Sequence, residues 1–253
     1  LDQDYTAKVL GFNSVAENAF EANQLASNDF PLEASQVIQA MMIKITNFLQ
    51  DFMVQYAQPR PWILLSEGNG NTYVSSAMPQ KRNPGLLISC RGNASDVVSE
   101  ANLVITRAHN VPSGMIDGKS VKVHAALAQE SVKTMERFVK ILKALVVNKE
   151  RALEELSLDW TASQEIADRL MSEYGLPFRV GHHVASGMVS FARANGILPL
   201  TFPYKEMQRI YAETVQKEMP GFATECPMSE EEFKASLDPR EILKRRRTEG
   251  SAN

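Results

Sequence analysis

The chain has 253 residues, of which 44% are hydrophobic and 23% are charged, a composition typical of globular proteins with a buried core. A formal net charge of −3 argues against a nucleic-acid-binding or membrane-surface protein, and no apolar run approaches the ~20 residues that span a bilayer. The two cysteines, Cys90 and Cys226, are far apart and outside any CxxC pair, which favours reduced thiols in a cytoplasmic protein.

Three long segments have the apolar spacing of α-helices, with hydrophobic residues recurring every three or four positions. They run from Leu32 to Tyr56, from Leu86 to Ala108 and from about Val121 to Leu153. At 1.5 Å per residue the third would be roughly 50 Å long. The heptad-like spacing predicts a bundle in which long helices cover each other's apolar faces. The predicted core positions are Ile38, Met41, Ile45, Phe48, Phe52 and Tyr56, then Leu87, Cys90, Ala94, Val97, Ala101 and Val104, then Ala128, Val132, Met135, Val139, Leu142 and Val146.

After about residue 156 the helical segments are shorter and carry clear end signals. Thr161–Gln164 predicts a capping box, and Gly175 lies where that helix would end. Further helices are predicted from Pro177 to Asn195 and from Tyr204 to Lys217. Ser229–Glu232 predicts a second capping box that opens another short helix.

These patterns predict an all-α fold, because the alternation typical of strands is absent. We expect a helical-bundle domain in residues 1–155, which contains the loop 66–84, and a small helical domain in residues 156–253. The basic run Lys244–Arg247 is interpreted as a solvated tail rather than a phosphate site. Leu1 leads directly into sequence typical of the middle of a protein, so we expect this chain to be a piece of a longer protein.

The long connection from Gln58 to Pro84 carries the polar residues that indicate chemistry. Loops of this length in compact proteins are usually functional or disordered. Cations and an amide, such as Lys81 and Asn83, can clamp a carboxylate, and a serine such as Ser75 can act as a general base where positive charge lies nearby. Composition alone leaves a functional loop and a polar linker equally open.

The segment Ser75-Ser-Ala-Met-Pro-Gln-Lys-Arg-Asn-Pro84 resembles the signature of the fumarase/aspartase superfamily, approximately Gly-Ser-Ser-x-Met-Pro-x-Lys-x-Asn-Pro. Three other segments resemble the argininosuccinate lyase branch: Leu10–Phe30, which opens with Leu-Gly-Phe-Asn, Tyr174–His182, which contains Gly-Leu-Pro-Phe-Arg, and Leu237–Arg240. The resemblance implies a central bundle of long helices, a homotetramer, and active sites that each draw on three subunits.

The resemblance implies an argininosuccinate lyase-like enzyme that eliminates fumarate from an N-succinyl-type substrate, in the cytoplasm and in arginine biosynthesis. Ser75 would be the catalytic base that removes the proton β to the leaving nitrogen. Lys81 and Asn83 would bind the succinyl carboxylate and stabilise the aci-carboxylate, while Ser76 and Met78 would shape the loop. The implied partners are a small dicarboxylate or succinyl-amine substrate and other copies of the chain. No cofactor is implied, and no residue spacing indicates a metal site.

Departures from the family pattern leave the substrate open. Superfamily members carry a Glu five residues after the signature Asn, where it pairs with a histidine, but Ile88 stands here. Val111-Pro112 matches a Leu-Pro that precedes a Tyr-Asn-(Lys/Arg)-Asp-Leu-Gln substrate segment, but Met115–Ser120 follows it. The N-terminal half of the family, which supplies a His-Thr segment, has no counterpart in this sequence, so we expect little activity from this chain alone.

The histidines do not restore the missing imidazole. His182 is interpreted as a packing residue and His109 as a helix-end residue, and His124 and His183 also lie outside the family's catalytic context. Two alternatives therefore remain. One is another superfamily lyase that acts on adenylosuccinate or another aminosuccinate, and the other is a non-catalytic structural or regulatory relative.

Overall fold

The computed structural model describes residues 1–18, 29–109 and 121–249. Its fold is all-α, as the sequence predicts, although four short strands accompany the ten α-helices of the described ranges. None of the helices in those ranges is long and apolar enough to cross a membrane. The chain divides into two compact units, Leu1–Val147 and Asn148–Asn253. This boundary precedes residue 155 because helix α5 (Lys149–Leu158) packs with α10 (Pro239–Arg245) inside the second unit.

The first unit is built on three long helices, with α2 packed along α3 and α3 packed against α4. Its helices are α1 (Gln3–Leu10), α2 (Asp29–Tyr56), α3 (Gly85–Ala108) and α4 (Val121–Ala144). The predicted face of α3 is confirmed, since all six predicted positions are buried. Together with Met42, Leu49 and Ile141 they form the core of the unit.

The predicted face of α2 is partly wrong. Ile45 is buried as expected, but Met42 and Leu49 are fully buried. Their neighbours Met41 and Phe48, which the sequence analysis placed in the core, are exposed at 37% each. Adjacent apolar residues satisfy a helical spacing equally well from either position, so packing against α3 decides which of the two enters the core.

The predicted face of α4 is wrong in a more informative way. The buried positions include Leu127, Ile141 and two hydroxyl residues, Ser131 and Thr134. Each hydroxyl donates to a carbonyl of its own helix at 2.8 Å, which removes the cost of burying it. Four predicted core residues are exposed instead and form what we call the outer stripe of α4: Ala128, Val132, Val139 and Leu142.

The third helical segment is shorter than predicted, because α4 ends at Ala144 and is therefore about 36 Å long. Strand β4 (Leu145–Val147) follows and pairs antiparallel with β1 (Ile63–Leu65). Asn148 then begins α5, and its side chain accepts a hydrogen bond from the amide of Arg151. The β-branched pair before a capping Asn ends the helix, although the apolar spacing continues through it.

The second unit packs α6 against α7 and α7 against α8. Its further helices are α6 (Gln164–Tyr174), α7 (Phe178–Asn195), α8 (Tyr204–Glu218) and α9 (Glu230–Ala235). These bounds agree closely with the predicted helices. Its core contains large side chains that are essentially inaccessible to solvent, including Tyr211, Phe233, Met188 and Leu170.

Two of the three predicted helix-end signals are confirmed. Gly175 ends α6 with φ of 70° in the left-handed region, and Ser229 and Glu232 form a reciprocal capping box at α9. The capping box at Thr161–Gln164 is wrong, because Trp160–Ser163 forms a turn of 3₁₀ helix and Ser163 makes no capping hydrogen bond with its side chain. Trp160 packs edge-to-face on Phe202, which holds the turn against the core.

The interpretation of Lys244–Arg247 as a solvated tail is also wrong. Arg245 and Arg246 both form ion pairs with Glu165 of α6, whose side chain is only 5% exposed. Arg245 also contacts Glu173, and Arg246 contacts Asp168 at 3.2 Å. A carboxylate this deeply buried needs paired cations, so the basic run is part of the folded unit.

The capping box predicts a pH-dependent stability difference. Hydrogen bonds from the Ser229 hydroxyl and amide, then from Tyr174, lower the pKa of Glu232 to about 2. Its stabilising contribution is therefore complete above about pH 4.5 and lost as the pH falls toward 2. We expect Glu232→Gln to cost about 1 kcal/mol at neutral pH, a modest value because the side chain is 37% exposed.

The measurement is urea unfolding in a Trp62→Phe background, where Trp160 fluorescence reports the second unit alone. Wild-type and Glu232→Gln proteins should converge in stability below about pH 3, because the wild-type carboxylate is then losing its charge. If the stability difference between the two proteins stays the same from neutral pH to below pH 3, the lowered pKa of Glu232 is contradicted.

A close helix contact generates a second prediction. A methyl group added at Gly181 of α7 would lie 3.0 Å from Ala167 Cα and 3.3 Å from its carbonyl oxygen, so Gly181→Ala should destabilise the unit by about 1–3 kcal/mol. The matched control is Gly92→Ala in α3, where the added methyl group meets nothing within 4 Å. The control should gain about 0.4–1 kcal/mol. Equal effects in thermal unfolding would show that packing at Gly181 is not limiting.

Candidate functional site

The signature segment folds as a short hairpin between α2 and α3, which we call the signature hairpin (residues 73–83). Strand β2 (Tyr73–Val74) pairs antiparallel with β3 (Arg82–Asn83). Beyond these strands, the Ser75 amide donates to the Lys81 carbonyl at 3.1 Å, and the Lys81 amide donates to the Met78 carbonyl at 3.0 Å. The hairpin therefore brings together all five residues that the sequence analysis singled out, Ser75, Ser76, Met78, Lys81 and Asn83.

The hydroxyl of Ser75 lies inside the turn of the hairpin. Its oxygen accepts weak hydrogen bonds from the amides of Met78 at 3.3 Å and Ala77 at 3.4 Å. Two backbone donors at one oxygen stabilise negative charge there. Ser75 is half-buried, so its oxygen remains partly accessible.

The other candidate residues lie around this hydroxyl with different exposures. Ser76, Met78 and Lys81 are exposed, and Asn83 is half-buried. In the described part of the chain no carboxylate lies within ion-pair distance of the Lys81 ammonium group. Among the described residues, the hairpin thus carries an exposed cation without a carboxylate partner in the same short segment as the Ser75 hydroxyl, which suits recognition of a carboxylate.

The segment before the hairpin, residues 66–71, which we call its base, is held by hydrogen bonds, in contrast to the exposed tip of the hairpin at residues 76–80. Asn71 is only 3% exposed, and its side-chain amide donates to the carbonyl and the hydroxyl of Ser66 at 3.0 and 3.2 Å. The backbone carbonyl of Asn71 accepts a hydrogen bond from the amide of Leu86 at 3.0 Å. Lys140 of α4 donates to the carbonyl of Asn69 at 2.7 Å. The base is therefore tied to both α3 and α4.

Glycine at position 85 permits this close packing. A methyl group there would lie 2.9 Å from the ring of Tyr73, so the first turn of α3 and strand β2 meet at a distance that a larger residue would prevent. The hairpin and the helix that follows it are held as one piece.

A surface cleft of about 400 Å³ lies beside the hairpin, lined by Tyr56, Gln58, Pro59, Pro61, Leu64, Leu65, Glu67, Met78, Gln80, Lys81 and Arg82. The hydroxyl of Tyr56 accepts a hydrogen bond from the Leu65 amide at 2.6 Å, and burial raises its pKa. Arg82 forms an ion pair with Glu67 at 3.1 Å. The cleft therefore joins an apolar wall to a charged rim.

The features that depart from the family pattern are placed as follows. Ile88 is 41% exposed in the first turns of α3, so an apolar side chain faces solvent near the hairpin. Met115–Ser120 and the matched Val111-Pro112 lie outside the described residues, as does part of Leu10–Phe30. Within the described ranges, no group of three or more His, Cys, Asp or Glu residues is placed to hold a metal ion.

Three histidines of the described part have contacts or helix-end positions that the structure defines. His109 is the C-cap residue of α3. His183 forms a hydrogen bond between its Nδ1 and Glu218 at 2.6 Å, which joins α7 to α8. His182 is exposed, with its ring between those of Phe178 and His183.

Sequence reasoning missed the residues that hold the hairpin in place. Lys140 is 71 positions from its partner, and no local pattern connects them. Asn71 is one of several Asn residues in a Gly-rich stretch, and only its burial distinguishes it. Glu67 precedes that stretch, where its charge alone gave no reason to pair it with Arg82.

Comparison with known proteins supports the predicted relationship. A family model described as "Argininosuccinate lyase C-terminal" matches residues 160–244. The argininosuccinate lyase of Bacillus mycoides (strain KBAB4) is 29% identical over 230 residues, which cover 88% of this chain and 48% of that enzyme. The Bacillus anthracis (strain A0248) enzyme is 28% identical over the same shares. The chain thus spans about half the length of the curated relatives it matches.

Solved structures share the fold. A variant of EDDS lyase with bound fumarate has a TM-score of 0.76 at 20% identity, covering 98% of this chain and 48% of that one. EDDS lyase in complex with formate gives 0.75 at 20% identity over the same shares. The structure called fumarate lyase:delta crystallin from Brucella melitensis gives 0.57 at 16% identity, over 93% of this chain and 45% of its own. The chain therefore matches the argininosuccinate lyase C-terminal family over residues 160–244 and is similar to argininosuccinate lyases over 88% of its length.

Proposed function

We propose that the whole protein is a carbon–nitrogen lyase that releases fumarate from an N-succinyl-type substrate by β-elimination, with argininosuccinate as the first candidate. The observation that carries this proposal is the signature hairpin, where the Ser75 oxygen accepts from two amides and the Ser75 amide pairs with the backbone of Lys81, an exposed cation. The lyases among the relatives support the reaction class.

The proposed reaction begins when Ser75 removes the proton on the carbon β to the leaving nitrogen. Lys81 and Asn83 bind the adjacent carboxylate, where negative charge accumulates as the aci-carboxylate forms. The electron pair then forms the double bond of fumarate as the carbon–nitrogen bond breaks. Ser76 and Met78 line the loop around the substrate. A group outside the described residues would protonate the departing nitrogen.

Lys81 and Asn83 would contact the succinyl part of the substrate rather than the amine that leaves. Succinyl substrates share the dicarboxylate that Lys81 and Asn83 would hold, so the hairpin does not distinguish between them. Argininosuccinate, adenylosuccinate and the EDDS of the structural relatives are therefore to be compared as substrates. Sites that hydrogen-bond one leaving group discriminate strongly against others, so a single preferred amine is expected.

Ser75→Ala in the protein of full encoded length should lower fumarate release by at least about 100-fold, the usual contribution of a general base. The measurement is the ultraviolet absorbance of fumarate, with each succinyl substrate in turn. Ser99→Ala on the exposed face of α3 is the matched control and should keep the wild-type rate. Equal rates in the two variants would remove Ser75 from the mechanism.

Ile88 favours a second candidate function, a non-catalytic relative that serves a structural or regulatory role. An apolar side chain cannot charge-stabilise an imidazole, and it is exposed close to the hairpin. If the protein is such a non-catalytic relative, we expect no turnover of a substrate and no saturable binding of fumarate by calorimetry. Fumarate binding that Lys81→Met abolishes would count against it.

A homotetramer formed through a helical bundle is also proposed, supported by the outer stripe of α4. Val132, Val139 and Leu142 are 57%, 43% and 43% exposed, and an apolar stripe along a helix favours a further helix against it.

A cytoplasmic location is supported by two free, buried cysteines. Burial raises the pKa of the Cys90 thiol to about 11, so it stays protonated.

Sedimentation velocity tests the association. The chain should sediment as an oligomer, and Val139→Glu should shift it toward the monomer because the new charge would be buried without a partner. Lys133→Glu introduces the same residue on α4 away from the stripe and should leave the oligomer intact. A wild-type chain that is monomeric at every concentration would refute the role of the stripe.

A further inference from the structure

Arg82 connects the tip of the signature hairpin to its base. Its Nη1 donates to the carbonyl of Pro79 at 2.7 Å, while its Nε lies 3.1 Å from a carboxylate oxygen of Glu67. Pro79 belongs to the turn at the tip, and Glu67 precedes the turn at the base. We propose that Arg82, acting through Glu67 and Pro79, is the positioning residue that sets the conformation of the hairpin turn and hence of the Ser75 hydroxyl.

Arg82 is the neighbour of Lys81 in the chain, and both residues line the cleft beside the hairpin. The planar guanidinium group has donors in a fixed fork and can therefore hold two acceptors at once. One of these adjacent cations is thus neutralised by Glu67, and the other is left for a ligand.

The turn that Arg82 holds is the one that surrounds Ser75. The Lys81 amide closes it by donating to Met78, and the amides of Ala77 and Met78 contact the Ser75 oxygen. A shift of the Pro79 carbonyl would move these amides, because only one residue separates Pro79 from Ala77. The contacts of Arg82 therefore influence the position of the Ser75 hydroxyl through the backbone of the turn.

The opposite end of the connection is fixed. Glu67 is followed by three residues with positive φ, Gly68 at 88°, Asn69 at 50° and Gly70 at 72°. The amide of Asn71 donates to the Gly68 carbonyl, and Lys140 holds Asn69 from α4. Glu67 thus offers its carboxylate from a hydrogen-bonded base to the exposed tip.

The connection is expected to bias the turn rather than lock it. The side chains of Arg82 and Glu67 are 36% and 65% exposed, and exposed ion pairs are weak and screened by salt. The cleft beside them leaves room for the guanidinium group to move.

Hydrogen exchange of the Ser75 and Lys81 amides tests this in the chain itself, without any assay of activity. Glu67→Gln and Arg82→Gln should each speed exchange at both amides by about two- to five-fold at low salt, and the double variant should add little. High salt should bring the wild type to the rate of Glu67→Gln, because salt screens the ion pair between Arg82 and Glu67. Arg209→Gln, which breaks two exposed ion pairs on α8, is the matched control and should change neither amide.

Kinetics of the full-length protein supply the second measurement, which rests on the proposed function. Arg82→Gln should lower kcat with little change in KM, because Lys81 and Asn83 still bind the carboxylate. Arg82→Lys keeps the charge but loses the fork, so it should recover only part of kcat. If the wild type and the variants alike lack turnover while exchange responds as expected, the proposed function fails and the positioning role stands. Unchanged exchange in Glu67→Gln and Arg82→Gln would overturn the inference.

Discussion

The buried side chain of Asn71 is the constraint on which the site depends. Its side-chain amide group donates to Ser66, while the backbone carbonyl of the same residue accepts from the Leu86 amide at the beginning of α3, so Asn71 ties the approach to the helix. Because α3 also provides the central packing surface of the first unit, the base of the signature hairpin inherits the rigidity of the core. The tip remains exposed, so a stiff frame carries a small adjustable element.

Such a division suits a reaction in which charge develops beside a bound carboxylate. Donors must be aimed before the charge appears, yet the substrate must also enter. The amides around Ser75 are held by backbone geometry, whereas the ammonium group of Lys81 has no fixed partner in the described chain. In the proposed chemistry the general base, Ser75, is held in place by the backbone. The Lys81 side chain, which would bind the carboxylate, is free to move.

The sequence predicted most of the fold because apolar residues recur at helical spacing along the face that a long helix packs against its neighbours, as the buried positions of α3 show. It failed where two faces were equally apolar, as in α4, and where polar groups were buried in pairs, as with Ser131 and Thr134. The five candidate residues were found by resemblance to a linear signature. Lys140 and Glu67 were not, because contacts between distant positions leave no local pattern.

The ion pairs between α6 and the last helix affect the order in which the second unit can form. Glu165 lies about eighty positions ahead of Arg245 and Arg246, the two cations that neutralise it. During synthesis α6 therefore emerges long before its partners and holds an acid that cannot be buried without them. The second unit can reach its final packing only after α10 has left the ribosome, so its folding is delayed until almost all of this chain has been made.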